Sequence, residues 1–385
     1  MKTINYGRQF IDDRDFNLIK KSLGEEKITT GKFVNLFEKN LRKYLGCKFI
    51  KVCNSGTAAI HLAYEAAGLK KGSNIIMPSI NFISAYRNAK LMGLNVYIAD
   101  VDKYSGQMSP KNVLELIKFH KLKKIDAILN MYLGGYPENI IDFYKLKTKY
   151  NCILIEDACH AFGASYKYKN KNYKIGSCKH SDISTFSFHP LKTITTGEGG
   201  AICTNNKKMF TKMKNLLSHG IVRHKNYWDY DIPKLGMNYR LSDINSALGI
   251  TQLKKINQIL KKRNEIYNFY SKHLKSFTKF IHINRYSKNL KHSFHLYVVH
   301  FKIENFKCDK DRLLNFFKKN NINLQQHYIP IYKFKILKSR SLPNSEKYYR
   351  TSVSLPIHVN LTNKELFYII SVLKKCINKF SKKNV

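Results

Sequence analysis

The chain has 385 residues, a length beyond the usual single hydrophobic core, and 43% of them are hydrophobic and 13% aromatic. Such a chain is expected to fold into about two domains, which excludes a disordered protein. Its 68 Lys and Arg against 26 Asp and Glu give a net charge of +42, but the excess is spread through KKSLGEEK, KLKK, KYKNKNYK and LKKINQILKKR among many Asn and Ile, a chain-wide bias rather than a patch for nucleic acid.

No helix-turn-helix, zinc-ligand or RNA-recognition pattern accompanies that charge. The eight cysteines include no C-x-x-C pair and mostly sit in apolar surroundings such as GAICTN, which reads as free thiols in a reducing compartment and as no metal site. The opening MKTINYGRQFIDDRDF carries acids where a signal peptide needs an apolar core. No run approaches the roughly 18 apolar residues of a membrane span, so a cytoplasmic protein without membrane contact is expected.

From Lys48 to about residue 205, KFIKVC is followed by SGTAAIHLAYEAAGL, NIIMP, ISAYRNAKLMG, NVYIADVD, a helix through VLELIKFH, and AILNMY. A helix around IIDFYKLKTKY comes next, then CILIEDA, ISTFSF and GAICTN. Strand and helix alternate in this way when a mostly parallel sheet is covered by helices on both faces. Sheets of that kind place their chemistry in loops at the carboxyl ends of strands. Apolar residues then recur at helical spacing from about Ser246 to Leu274, predicting one bridging helix. Beyond it, HSFHLYVVHF, DRLLNFFKKN, QQHYIPIY and NKELFYIISVLKKC form an α+β pattern. The expected division is residues 1–248 for an N-terminal arm and large domain, and 249–385 for a helix bridge and small C-terminal domain.

Three strand ends carry polar residues. In CNSGTAAIHLA, Ser55, Gly56 and Thr57 open a helix, an arrangement that suits a phosphate and that also makes an ordinary N-cap. In ILIEDACHAFGA an apolar strand delivers Glu156 and Asp157, with His160 close behind. A buried carboxylate there needs a cation, although taken alone an N-capping role is the simpler reading of the aspartate. In SFHPLKTITTGEGG, Pro190 stops helical continuation and glycines turn the chain back into GAICTN. Lys192 is thereby held in a turn between two buried strands, where desolvation would favour the free amine that Schiff-base chemistry requires. The register does not match a Walker loop.

Together, SFHPLKTITTGEGG, IEDACHAFGA and GMNYRLSDINSALGITQL resemble the DegT/DnrJ/StrS family of nucleotide-sugar aminotransferases, which are fold-type I pyridoxal-phosphate enzymes. The likeness runs from TTGKFVNLFEKNL near Thr29 to SLPIHVNLT, nearly the whole chain. It implies pyridoxal 5′-phosphate as cofactor, Lys192 as Schiff-base amine and proton shuttle, and Asp157 as partner of the pyridine nitrogen. His160 falls where family members use Gln or His toward the ring's 3-oxygen. Phe82 matches an aromatic that stacks on the ring. Gly56, Thr57 and Ser187 match phosphate contacts, and Asn238 matches an asparagine that reaches the phosphate from the neighbouring subunit of a homodimer. Where many relatives carry Thr before the aromatic, this chain has Asn81. Retention of Lys192, which some dehydrating relatives replace with histidine, implies transamination.

Finer segments, SHGIVRHKNYWDYDIPKLGMNYRLSD, INLQQHYIPIY and YYRTSVSLPIH, are similar to the pseudaminic-acid branch of the family. That likeness implies L-glutamate as donor and UDP-2-acetamido-2,6-dideoxy-L-arabino-hex-4-ulose as acceptor, aminated at C4. His219, Arg223, Trp228, His327 and Tyr328 are the substrate-contact candidates, with packed-histidine and interface roles as alternatives for His327 and Trp228. Other readings are a different nucleotide 4-keto sugar on the way to legionaminic acid, bacillosamine or perosamine, a regulatory relative without turnover, and a basic nucleic-acid-binding protein.

Overall fold

The computed structural model describes residues 2–226, 228–284, 286–287, 290–335, 337 and 341–382. Its main sheet is built from β1 (Phe49–Cys53), β2 (Asn74–Pro78), β3 (Asn95–Ala99), β4 (Ala127–Met131) and β5 (Ile153–Asp157). A hairpin of β6 (Ser165–Tyr168) and β7 (Lys171–Lys174) intervenes before β8 (Ile183–Ser187) and β9 (Gly200–Thr204) complete it. The seven strands lie in the order β1-β9-β8-β5-β4-β2-β3. β8, β5, β4, β2 and β3 are mutually parallel, and β9 is antiparallel to both its neighbours, so it alone runs against the rest.

Helices α1 (Asp13–Leu23), α2 (Lys32–Leu45), α3 (Gly56–Ala66), α4 (Ile83–Leu91), α5 (Pro110–His120), α6 (Ile140–Tyr150) and α7 (Lys207–Leu216) precede a longer pair, α8 (Asp243–Lys254) and α9 (Ile256–His273). The sheet is covered on both faces, which explains why its strands are apolar runs instead of alternating ones. On β9, Ile202 joins the core under α3, α4 and α7, whereas Ala201 and Cys203 join the core under α2 and α8. On β4, Ala127 and Leu129 face the first of these cores while Ile128 and Met131 face a third, shared with α5 and α6.

The bridging segment differs from its periodicity. Two helices meet at Lys255, whose ammonium is buried against the Asp15 carboxylate and lies 3.2 Å from Asp12 Oδ1. Asp15, fully buried on α1, also accepts from Thr251 Oγ1 at 2.5 Å and from Gln252 Nε2. A buried ammonium is tolerated only when paired and hydrogen-bonded, and the break in the helix delivers it to its partner. α8 is buried over most of its length, from Ser246 to Leu253, so its composition has no solvated face to mark where it ends.

After the short exposed pair β10 (Val222–Arg223) and β11 (Tyr230–Asp231), the remaining strands are β12 (Ile281–Ile283), β13 (Leu290–Lys291), β14 (Tyr297–Phe301) and β15 (Ser352–Leu355). β12, β14 and β15 form an antiparallel sheet packed by α10 (Lys310–Lys319), α12 (Asn363–Phe380) and the end of α9. A further helix, α11 (Pro343–Thr351), leads into β15. Ile4, at the other end of the chain, lies in this same core and pairs with Ile322. β13 crosses back to pair with β6, tying the C-terminal part to the region below the main sheet.

Candidate active site

A cavity of about 540 Å³ opens at the carboxyl ends of the parallel strands. Asp157 ends β5, Ser187 ends β8, Met131 ends β4, and α3 starts just beyond β1; all four line it. This is where an open α/β sheet, with loops leaving its strand ends, leaves a crevice.

α3 is capped by Ser55, whose side chain accepts from the Ala58 N–H at 3.1 Å. The N–H groups of Gly56 and Thr57 precede the first intrahelical bonds and have no acceptor in their own helix, so with the helix dipole they form a seat for an anion. Gly56 is required by close approach. A Cβ there would stand 2.7 Å from Ser187 Cβ, and that contact is what brings the Ser187 hydroxyl to the helix start.

Lys192 sits in the turn between β8 and β9. The turn is pinned by Lys192 N–H to His189 O at 2.9 Å, Thr196 N–H to Phe188 O at 3.0 Å and Asn245 Nδ2 to Thr196 O at 2.5 Å. Burial pushes the Lys192 amine below its ordinary range, opposed by Cys159 and Asp157. Asp157 is 2% exposed and accepts from the Cys159 N–H at 3.2 Å. Its carboxyl is raised by burial, with the Cys159 hydrogen bonds, Lys192 and Asn81 pulling the other way. Strand alternation sends Glu156 to the opposite face, where Tyr132 Oη donates to it at 2.7 Å and Ser184 holds its second oxygen. Only one of the two carboxylates of IEDA therefore belongs to the cavity.

His160 is 1% exposed, and burial, then Lys192 and the neighbouring His295 and His327, hold it well below the ordinary histidine range. It receives the Gly134 N–H at Nδ1, 3.3 Å, and meets Tyr328 Oη at Nε2, 2.9 Å. Phe82 caps the start of α4 and stays half exposed at the cavity, its ring centroid 5.9 Å from that of Tyr328. His327, buried and depressed to about 3 by desolvation and then by Lys192, bonds Ser354 Oγ at 2.9 Å. Asn81 is buried; its Oδ1 accepts the Phe82 N–H at 2.6 Å.

The cavity thus gathers Gly56, Thr57, Phe82, Asp157, His160, Ser187, Lys192, His327 and Tyr328. It does not gather Asn238, His219, Arg223 or Trp228, which are exposed on the segment around β10 and β11. The sequence reading missed Tyr6, His189, Glu198, His295 and Gln325, which also line it. For Glu198 the GEGG cluster was an available signal; Tyr6 and His295 arrive from remote parts of the chain with no local pattern to mark them.

A helix-covered α/β sheet with a lysine, a buried carboxylate and an anion seat around one cavity is the arrangement that the resemblance to the aminotransferase family implies. The profile of the DegT/DnrJ/EryC1/StrS aminotransferase family matches residues 9–374, and the chain belongs to that family. It is 39% identical over 385 residues, 98% of this chain and 99% of the relative, to a UDP-4-amino-4,6-dideoxy-N-acetyl-beta-L-altrosamine transaminase of Campylobacter jejuni. A GDP-perosamine synthase of Escherichia coli O157:H7 is 28% identical, with 88% of each chain covered. Among solved structures, Helicobacter pylori PseC, an aminotransferase involved in biosynthesis of pseudoaminic acid, superimposes with a TM-score of 0.90 at 29% identity, covering 98% of this chain and all of that one.

Proposed function

We propose that the protein is a pyridoxal 5′-phosphate-dependent aminotransferase that transfers the amino group of L-glutamate to C4 of UDP-2-acetamido-2,6-dideoxy-L-arabino-hex-4-ulose, a step toward pseudaminic acid, acting in the cytoplasm as a homodimer. The observation that carries it is one cavity holding Lys192, Asp157 and the start of α3. The 39% identity to the Campylobacter transaminase over nearly the full chain supports this acceptor over the GDP sugar.

The residues present fit the cofactor. An anion seat at Gly56, Thr57 and Ser187 would take its phosphate, the exposed face of Phe82 its ring, and the buried Asp157 its ring nitrogen. Bound there, it supplies an electron sink for negative charge developing on the donor's Cα. Asp157 would face the ring nitrogen, and the cationic ring and the buried carboxylate would stabilise each other and keep the pyridinium proton in place. Lys192 Nζ, its charged form disfavoured by desolvation, would take the proton from Cα of glutamate and, in the second half-reaction, place a proton on C4 of the sugar. The buried histidines and Tyr328 around it exclude water from that transfer. Glutamate leaves as 2-oxoglutarate and the keto sugar leaves as an amine.

Asn238, exposed and outside its own chain's cavity, is the residue a second copy would lend to the phosphate. The test is a coupled assay with glutamate and UDP-, GDP- and dTDP-linked 4-keto sugars. Amination of the UDP sugar with release of 2-oxoglutarate is expected; amination of only a GDP or dTDP sugar would overturn the acceptor assignment.

A further inference from the structure

The hydrogen atoms around His160 can be counted. Gly134 follows β4 in the left-handed conformation, φ +75°, where a Cβ would also stand 2.7 Å from the Tyr136 ring, so this position needs glycine. That turn aims the Gly134 N–H at His160 Nδ1, 3.3 Å away, and a nitrogen that accepts carries no proton. The ring is buried among His295, centroid 4.1 Å away, and His327 at 6.3 Å, and burial keeps all three histidines in their neutral form. A neutral imidazole with a bare Nδ1 bears its proton on Nε2. That proton faces Tyr328 Oη at 2.9 Å, so the tyrosine oxygen is the acceptor in this contact. The Tyr328 hydroxyl proton then points elsewhere, and Tyr328 lines the cavity.

We propose that Tyr328 is the hydrogen-bond donor that this wall of the cavity offers to a ligand oxygen, and that His160 is a positioning residue that aims it. The proposal rests on the aminotransferase reading for the identity of that oxygen: a carbonyl oxygen of the amino acceptor, or the phenolic oxygen of the cofactor ring. Burial raises the Tyr328 hydroxyl well above its ordinary range, so it holds its proton and acts by hydrogen bonding with no proton transfer. His160, the residue that the family likeness points at the ring oxygen, has its N–H engaged by Tyr328.

The first test needs neither cofactor nor substrate. In the full chain labelled with [15N]histidine, a long-range proton–nitrogen correlation spectrum, assigned with a His160→Gln protein, should show His160 as the neutral Nε2–H tautomer at pH 7. An Nδ1–H tautomer or an imidazolium would overturn the proposal, whatever the protein's activity. The second test uses Tyr328→Phe, which removes the hydroxyl and keeps the ring, loaded with pyridoxal 5′-phosphate. If the hydroxyl serves the acceptor, kcat/KM with the UDP 4-keto sugar falls about 10- to 100-fold while the visible spectrum is unchanged. If it serves the ring oxygen, both half-reactions fall and the visible band shifts its position or its pH midpoint. Wild-type values in both readouts would overturn the proposal. His160→Gln, which keeps an N–H donor toward Tyr328, should retain more of either signal than His160→Ala; equal losses would contradict the aiming role. A chain that takes up no cofactor would sink the aminotransferase reading and leave the tautomer result standing.

Discussion

The cavity floor and the segment carrying β10 and β11 are built on opposite terms. On the floor, His160 and Asp157 are 1% and 2% exposed and the Lys192 turn is closed by its own backbone. On the segment, Trp228 is 67% exposed and Leu235 86%, with Tyr230, Ile232 and Met237 also open. Exposed apolar side chains that cluster along one segment are unusual on a well-packed chain. The floor's side chains come from one chain, whereas His219, Arg223, Trp228 and Asn238 lie outside that chain's cavity. The cavity and the exposed segment thus occupy different parts of the fold, and each can be disturbed separately.

The largest effect belongs to the floor. Lys192→Ala should lower turnover by about 10²–10⁴-fold and leave the circular dichroism spectrum unchanged; activity near wild type in a single-turnover assay with glutamate would show that the floor's lysine takes no part in the chemistry. Asn238→Ala should weaken cofactor binding by about 10- to 100-fold, although Asn238 is outside the cavity of its own chain. Mixing that protein with Lys192→Ala sharpens the contrast, because a mixed dimer with shared sites regains one intact site. Recovery of activity on mixing is expected, and none would show that each chain supplies its own asparagine.

Gly56→Ala tests the packing of the anion seat. Its new Cβ meets Ser187 at 2.7 Å, so denaturant titration should show a loss of about 1–3 kcal/mol, with weaker uptake of pyridoxal 5′-phosphate. The smallest effect is a pH dependence. Burial holds His327 at about 3, His300 and His358 at about 4, and His160 and His295 well below their ordinary range. The unfolded chain binds these protons near pH 6.5 and the folded chain does not, so their contribution is complete above about 6.5 and is lost as pH falls toward 4. The raised carboxyls of Glu156 and Asp157 act in reverse, stabilising below their ordinary range and losing that effect as pH rises through their raised values. With His61, His180, His189 and His292 also held low by burial, nine histidines against the raised carboxyls of Glu138, Glu156 and Asp157 predict a Tm that drops between pH 6.5 and 4.5; a flat profile would mean that these histidines are wetter than their burial implies.

The parts legible in the sequence are those that local chemistry punctuates. Pro190 and the GEGG glycines mark the Lys192 turn, and the continuous apolar runs mark a sheet covered on both faces. The break at Lys255 was hidden because its cause, Asp15, lies 240 residues away. Helices α1 and α2 fell outside the strand and helix pattern that was read, although Asp12 and Asp15 form a capping box at the start of α1. Tyr6, His295 and Gln325 meet the cavity only through long-range folding, and the count of hydrogens at His160 depends on Gly134 and Tyr328, which no motif joins to it. Spacing along a chain carries the first kind of information and not the second.

Lys192 is the amine that the proposed cofactor site requires. Incubation with pyridoxal 5′-phosphate, reduction with borohydride and peptide mass mapping test it directly. One modified lysine, Lys192, is expected, with the visible band that precedes reduction bleached by prior addition of glutamate. A label on another lysine, or no label on a folded chain, would contradict it.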